Sequence, residues 1–465
     1  MIGGQSNFNA SGYMAAWYNL TAPGSGYTST PTVTVSGSGC NNIQAIADIH
    51  RAVWDLGANA SQVWTETQMV TDGGIIYNRP ASYTTWDSIE IRNTAYNTGA
   101  AGNTPVIFGV VESPNTTIEN LYIHNWYTTQ AHGTNGSDGS IALSSGFNST
   151  VASSLVQNNY VFDGEAVYTC NTNAYCGYGS AIQVQSGIGN PGVFKNNHIG
   201  FVNWAARGCP GYIYGNDIWG TIESDNGGHT NNIYVGLCGS GAFTTIEYDN
   251  LIHNTDIGAN SQTAQGSGNT WYIFNNVAWN ATGSGTQWGI DTTTGVSAAT
   301  ANIYFWNNTV VGDQGTGSCV NVDANGPDVL DLNLYLYNNQ CISTQGANHW
   351  FAVNNGTIGS VNGNASYTTT TADAANYLPT AISPYSETNA LQPASGYGSV
   401  TFSGTNLTST SPGCGTSGLT PLCTDAASVA RAATGNWQAG AYWYGGSTVY
   451  GSVFQGLASS GVALH

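Results

Sequence analysis

The chain has 465 residues, enough for two or three ordinary domains or for one large repeat array. Only 7% of its residues are charged, against about 25% in ordinary soluble domains, while 41% are hydrophobic, with 27 Tyr and 14 Trp. A net charge of −19 with six Lys and Arg excludes the basic stripe that nucleic acid needs, and it repels anionic membranes and polyanionic glycans, so a neutral partner is expected.

The start, Met1-Ile2-Gly3-Gly4, lacks the basic and apolar regions of a signal peptide. If the protein is extracellular, its leader is therefore absent from this sequence. No apolar run approaches the roughly 18 residues of a membrane helix, so no membrane insertion is expected. Residues 1–74 read as an N-terminal cap with a small β element and one helix over Ile43 to Leu56, where apolar residues partly follow 3.6 spacing. A stack of β-coils needs such a plug because its first coil exposes strand edges.

From there a repeat organises the chain. Seven segments place Asn-Asn, Gly-Asn or Asp-Asn between short apolar-alternating stretches. They include Val156-Gln157-Asn158-Asn159-Tyr160-Val161, Phe194-Lys195-Asn196-Asn197-His198-Ile199 and Tyr214-Gly215-Asn216-Asp217-Ile218. The remaining markers are Asn250, Asn276, Asn308 and Asn339, and Ile118-Glu119-Asn120-Leu121 is a degenerate copy. Their spacing ranges from 19 residues (197 to 216) to 38 (159 to 197). A helical repeat holds a fixed period, whereas a β-coil lengthens by inserting loops while its strand motif persists. A second strand motif follows, as in Ile182-Gln183-Val184-Gln185, Ile233-Tyr234-Val235, Gly289-Ile290-Asp291, Val320-Asn321-Val322-Asp323 and Phe351-Ala352-Val353. The reading is an all-β solenoid over 75–365, with 366–465 as an irregular C-terminal cap and tail.

Stacked coils lie about 4.8 Å apart, so equivalent side chains fall one above another. An inward amide carries both donor and acceptor and can bond its copies on either side, whereas Asp in that column would stack like charges. The expected ladder is Asn159, Asn197, Asn216, Asn250, Asn276, Asn308 and Asn339.

These segments resemble the right-handed parallel β-helix family, which includes pectate lyases, polygalacturonases and many secreted bacterial proteins. The resemblance covers roughly residues 75–365 and implies a single-stranded right-handed parallel β-helix; it specifies activity poorly. Gly24 to Val35 and the closing Trp437-Gln438-Ala439-Gly440-Ala441-Tyr442 are similar to pieces of secreted bacterial proteins, the latter to a final strand. Asn254-Thr255-Asp256 and Gly228-His229 resemble parts of the polygalacturonase signature, but in reversed order, without its paired Asp or its Arg-Ile-Lys. That activity is not assigned.

Insertions at 128–148, 163–180, 221–232 and 255–270 are expected to wall a groove along the coils. Sugar rings stack on aromatic faces, so Trp126, Tyr178, Trp204, Trp219 and Trp288 are the candidate platform. Glycosidic hydrolysis commonly uses two carboxyl groups, and Asp225, Asp256 and Asp291, with His229 to orient or share a proton, are the candidate catalytic residues. Asp217 and Asp323 lie near the same loops. A lyase would need a central Arg or Lys, and only Lys195 and Arg207 fall there. No cofactor is required, although Ca²⁺ at stacked acids such as Asp291 and Asp323 is compatible with the sequence.

Nine cysteines without paired CxxC units exclude a zinc ribbon and favour oxidising surroundings. Cys170/Cys176 and Cys414/Cys423 read as loop staples, and Cys209/Cys238 and Cys319/Cys341 as links between neighbouring coils, with free thiols as the alternative. Two functions stand. One is an extracellular glycoside hydrolase acting on a neutral or weakly charged polysaccharide. The other is a non-catalytic structural protein, such as an adhesin, spike or self-assembling filament subunit.

Overall fold

The computed structural model describes residues 7–8, 14–15, 52–55, 63–65, 76–78, 82–97, 106–111, 113–128, 139–144, 154–162, 180–185, 192–202, 204–208, 210–221, 231–236, 242–253, 259–264, 268–279, 288–292, 300–312, 320–323, 331–343, 351–353, 357–362, 365–368, 414–416, 418–433, 437 and 440–442. The chain divides into two units, Met1–Arg51 and Ala52–His465. In the first, Asn7–Phe8 pairs antiparallel with Met14–Ala15.

The second unit is all-β, and its three sheets are parallel throughout. Sheet 1 runs from Ala52–Asp55 to Ala365–Thr368, sheet 2 from Ile76–Asn78 to Phe351–Val353, and sheet 3 from Thr85–Asp87 to Thr357–Asn362. The chain visits sheet 3, sheet 1 and sheet 2 in turn, and each strand pairs with its counterparts one circuit before and after. This order is compatible with a parallel β-helix. Pairing begins at Ala52, inside the stretch expected to be a cap.

Register keeps apolar residues stacked in each inward column, with one exception. Sheet 1 stacks Ile91, Ile123, Val161, Ile199, Ile218, Ile252, Ala278 and Val310. Each has an exposure of 1% or less. Sheet 3 stacks Ile118, Val156, Phe194, Ile213, Glu247, Ile273, Phe305 and Leu336. Glu247 is the one carboxyl in that column, buried between Ile213 and Ile273 on the adjoining strands.

The corner from sheet 3 to sheet 1 is a two-residue turn whose positions divide the work. The first residue takes the left-handed backbone: Asn158, Asn196, Gly215, Asp249, Asn275, Asn307 and Asn338 have φ between 48° and 65°. Asn, Asp and Gly tolerate that region best. The second is the buried asparagine. The backbone N–H and Nδ2 of Asn159 both donate to Oδ1 of Asn197, at 3.1 and 3.0 Å. The same pair of bonds links Asn197 to Asn216, Asn216 to Asn250, Asn250 to Asn276, Asn276 to Asn308 and Asn308 to Asn339. The second Nδ2 proton goes to a strand carbonyl of the preceding circuit, as from Asn250 to Ile213 O at 3.0 Å. In the degenerate copy Leu121 occupies the ladder place, and its N–H donates to Asn159 Oδ1 at 2.9 Å.

Several expectations are corrected. Ala52–Asp55 is a strand paired with Ile89–Arg92, not the end of a helix; its Val and Trp suit a pleated surface. The rest of that expected helix lies outside the described residues. Two expected insertions contain sheet 2 strands, Gly139–Ser144 and Ala259–Ala264, whose small polar residues hide the alternation that marks a strand. Tyr367 and Thr368, read as irregular, pair with Ile342 and Ser343.

The closing segment, Cys414 to Tyr442, docks against the outer side of sheet 3. Cys414, Leu419, Leu422 and Trp437 pack with Ile246, Tyr248, Phe274 and Trp306, and Cys414–Cys423 is a disulfide. Its polar ties reach the left-handed corner residues. Arg431 Nη2 donates to Asn275 Oδ1 at 2.6 Å, Asn275 Nδ2 to Thr424 O, Asn307 Nδ2 to Gly440 O, and Gly440 N–H to Asn338 O. Gly440 and Ala441 form a bend here, not the strand that the resemblance implies.

Burial beneath this segment pushes the Asp249 carboxyl from 3.8 up to about 7, against the opposing pull of Asn275 and Arg431. A raised carboxyl pKa stabilises the fold fully below the unfolded value and ceases to do so as pH rises through about 7. Asp249→Asn, which keeps the left-handed preference without the charge, should therefore raise Tm relative to wild type more at pH 8.5 than at pH 5. An equal difference at both pH values would contradict this. In the ladder, Asn250→Ala should cost about 3 kcal/mol or more in denaturant unfolding, because it strands buried backbone groups. Asn158→Gly, at a left-handed position outside the ladder, should cost less than about 1 kcal/mol.

Candidate functional site

The three corners of the circuit differ. The sheet 3 to sheet 1 corner is the tight asparagine turn, so long connections occur only on entering and leaving sheet 2, as at 163–179 and 220–230. Sheet 2 is therefore the one sheet bordered by long connections on both edges, whereas the outer side of sheet 3 carries the closing segment.

The predicted platform residues separate accordingly. Trp126 and Trp288 are fully buried in the core, Trp288 edge-on against Phe305 at 5.4 Å, and neither offers a surface to a sugar. Trp288 is in phase with Ile290 on its strand, but Trp126 stands three residues after the inward Ile123, so neither composition nor strict alternation reveals its burial. Trp204 belongs to sheet 2 and is buried as well, 7% exposed, nearly parallel to Tyr234 at 5.8 Å. The Arg207 guanidinium sits 3.9 Å from the centre of its ring. Trp219 is half-buried on the outer face of sheet 1. Tyr178 lies outside the described residues.

Of the candidate acids, Asp225, His229 and Asp256 lie outside the described residues. In sequence they fall on connections that run from sheet 1 to sheet 2. Asp291 is on the sheet 2 strand Trp288–Thr292, in register with Asp323 on the next strand. That register puts the two Cα atoms about 4.8 Å apart. Cys414–Cys423 is bonded as expected, while the partners expected for Cys170, Cys176, Cys209, Cys238, Cys319 and Cys341 lie outside the described side chains.

Sheet 1 presents a group that single-residue reading missed. Asp217 stands between two imidazoles from the circuits before and after it: His253 Nε2 is 2.9 Å from Oδ1, and His198 Nδ1 is 3.5 Å from Oδ2. Burial pushes this carboxyl up, but the hydrogen bonds and charges of His198 and His253 outweigh it and bring it down to about 2. Tyr160 stacks on His198 at 4.6 Å. Farther along the same face Glu90 meets Arg92 at 3.0 Å and His124 at 3.2 Å, and His124 stacks on Tyr122. The His124 hydrogen bond holds the Glu90 carboxyl below its usual value despite burial.

A signal for this group was present in the sequence. His198 and Asp217 both immediately follow a ladder asparagine, and Gly200, Trp219 and His253 all stand three places after one. Aligning the repeats on that marker superimposes them. Glu90 and Asp217 are four strands apart in one column, about 19 Å, too far to act as one glycosidase pair. Among the described residues no three His, Cys, Asp or Glu converge to hold a metal ion.

Comparison with known protein families, with curated proteins and with solved structures returned no match.

A depressed carboxyl pKa stabilises the fold above the unfolded value, and that stability is lost as pH falls through the folded one. Asp217→Asn should therefore destabilise the protein at pH 6, and its deficit in urea unfolding should shrink between pH 4 and about 2. A deficit that stays constant over that range would show that the imidazole pairing carries no charge energy.

Proposed function

We propose that the protein is an extracellular, single-stranded right-handed parallel β-helix that hydrolyses a neutral or weakly charged polysaccharide lying along sheet 2. The observation that carries this reading is the register match of Asp291 and Asp323 on adjacent strands of the sheet bordered by long connections. Carboxyl groups about 5–5.5 Å apart suit a retaining mechanism. One acid gives its proton to the leaving oxygen while the other carboxylate attacks the anomeric carbon. Water, deprotonated by the first group, then releases the sugar. Asp225, His229 and Asp256, on connections that enter the same sheet, are the further candidates for the proton-transfer role. Tyr234, half-buried over Trp204 with Arg207 beside it, supplies aromatic surface and hydrogen bonds to hydroxyls. The scarcity of bases favours a neutral chain over a uronate polymer.

A structural role is the second reading, favoured by the unbroken ladder and the bonded closing segment, both of which confer rigidity. Release of reducing ends from soluble glucans, xylans and mannans separates the two. The enzymatic reading expects turnover on at least one, falling about 10²–10⁴-fold in Asp291→Asn and in Asp323→Asn. No turnover on any of them, together with regular polymers in electron micrographs, would overturn it in favour of the structural protein.

A further inference from the structure

We infer that the outer face of sheet 1 is a second glycan-binding surface, separate from the sheet 2 site, with Trp219 as its platform and Gly200 as the residue that positions it. The inference rests on the polysaccharide reading only for the class of ligand; the surface itself stands on its own geometry.

Phe162, Gly200 and Trp219 are register partners on three successive strands. Trp219 leans back across Gly200 and meets Phe162 at 5.0 Å between ring centroids. A Cβ at Gly200 would lie 2.7 Å from Trp219 Cε2 and 2.9 Å from its Nε1, a contact that no side chain can make. Gly200 has no positive φ, so the glycine is not required by its backbone. Its effect is to let the indole lie over the neighbouring strand instead of standing upright in its column.

On one side of this ring lies the His198–Asp217–His253 row, with the His253 ring 17° from the Trp219 plane. A half-exposed indole beside an ionised carboxylate and two imidazoles matches a neutral sugar, whose C–H face packs on the ring while its hydroxyls take the polar groups. The Asp217 and Glu90 carboxylates on this face disfavour a polyanion. A glycan running along the stack crosses from Asp217 to Glu90 in about 19 Å, over His198, Tyr160 and Tyr122, which hold the intervening places in that column. The tight asparagine corner keeps one edge of this face free of inserted connections.

The test is affinity electrophoresis of the full chain through gels containing barley β-glucan, xylan, galactomannan or polygalacturonate, with Tm recorded for every variant. The inference expects retardation by at least one neutral polymer, weakened about tenfold in both Trp219→Ala and Gly200→Ala, and retained in Tyr83→Ala, an exposed aromatic outside both faces. Gly200→Ala is the sharper variant, because it moves the indole without removing it. Retardation that is unchanged in the two sheet 1 variants, lost equally in Tyr83→Ala, confined to polygalacturonate, or absent for every polymer overturns the inference. If a sheet 1 variant loses more than about 5 °C in Tm, His253→Gln with unchanged Tm replaces it, and unchanged retardation in that variant overturns the inference equally. Reducing-end release from short soluble oligosaccharides, measured in parallel, reports on sheet 2 alone. Its absence in wild type defeats the hydrolase reading and leaves the sheet 1 result standing.

Discussion

A side-chain amide is both donor and acceptor, and the seven buried asparagines use both capacities at once. From Asn197 to Asn339 each Oδ1 takes two N–H groups from the preceding asparagine, and from Asn159 to Asn308 each Nδ2 spans its successor and a strand carbonyl. The bonds close only if every corner sits directly over the last, so the ladder fixes register along the whole stack. A one-residue slip would take the amide out of line and turn the flanking Ile and Val columns outward. Buried polar networks stabilise only when complete, and this one is satisfied at each described step.

That constraint explains where variation is allowed. With the sheet 3 to sheet 1 corner held to two residues, every change in repeat length falls on the connections around sheet 2. The drift in spacing from 19 to 38 residues is the sequence record of one rigid corner and two permissive ones. Chemistry then has two kinds of surface available. Sheet 2 lies among connections that differ from circuit to circuit, and sheet 1 has an outer face on which register alone brings residues together. The Asp217 row and the Trp219 platform belong to the second kind. Their neighbours in space are 19 to 57 residues away in sequence, and none is adjacent.

The ladder residues and half of the ten described sheet 2 strands were legible in the sequence because one amide and one alternation recur. The inward or outward direction of single aromatics was not. Trp288 looks no different from Trp219 until strand boundaries are known to the residue, since one step reverses the face. Ala52–Asp55 mimicked the end of a helix because four residues satisfy either period. Glu247 is illegible for another reason: its flanks, Ile246 and Tyr248, are themselves apolar and face outward, covered by a segment more than 160 residues later. The closing segment was read as a cap because nothing local in Cys414 to Tyr442 records that its partners are the corner residues Asn275, Asn307 and Asn338.

Amide hydrogen exchange, resolved by residue, tests the ladder account most directly. The backbone N–H groups of Asn197, Asn216, Asn250, Asn276 and Asn308 sit in turns, where exchange is ordinarily fast. Bonded to a buried carbonyl of the next amide, they should instead exchange as slowly as the central Ile and Val strands and open only with global unfolding. Exchange at these five sites as rapid as at an exposed turn would show that the asparagines do not hold the stack together.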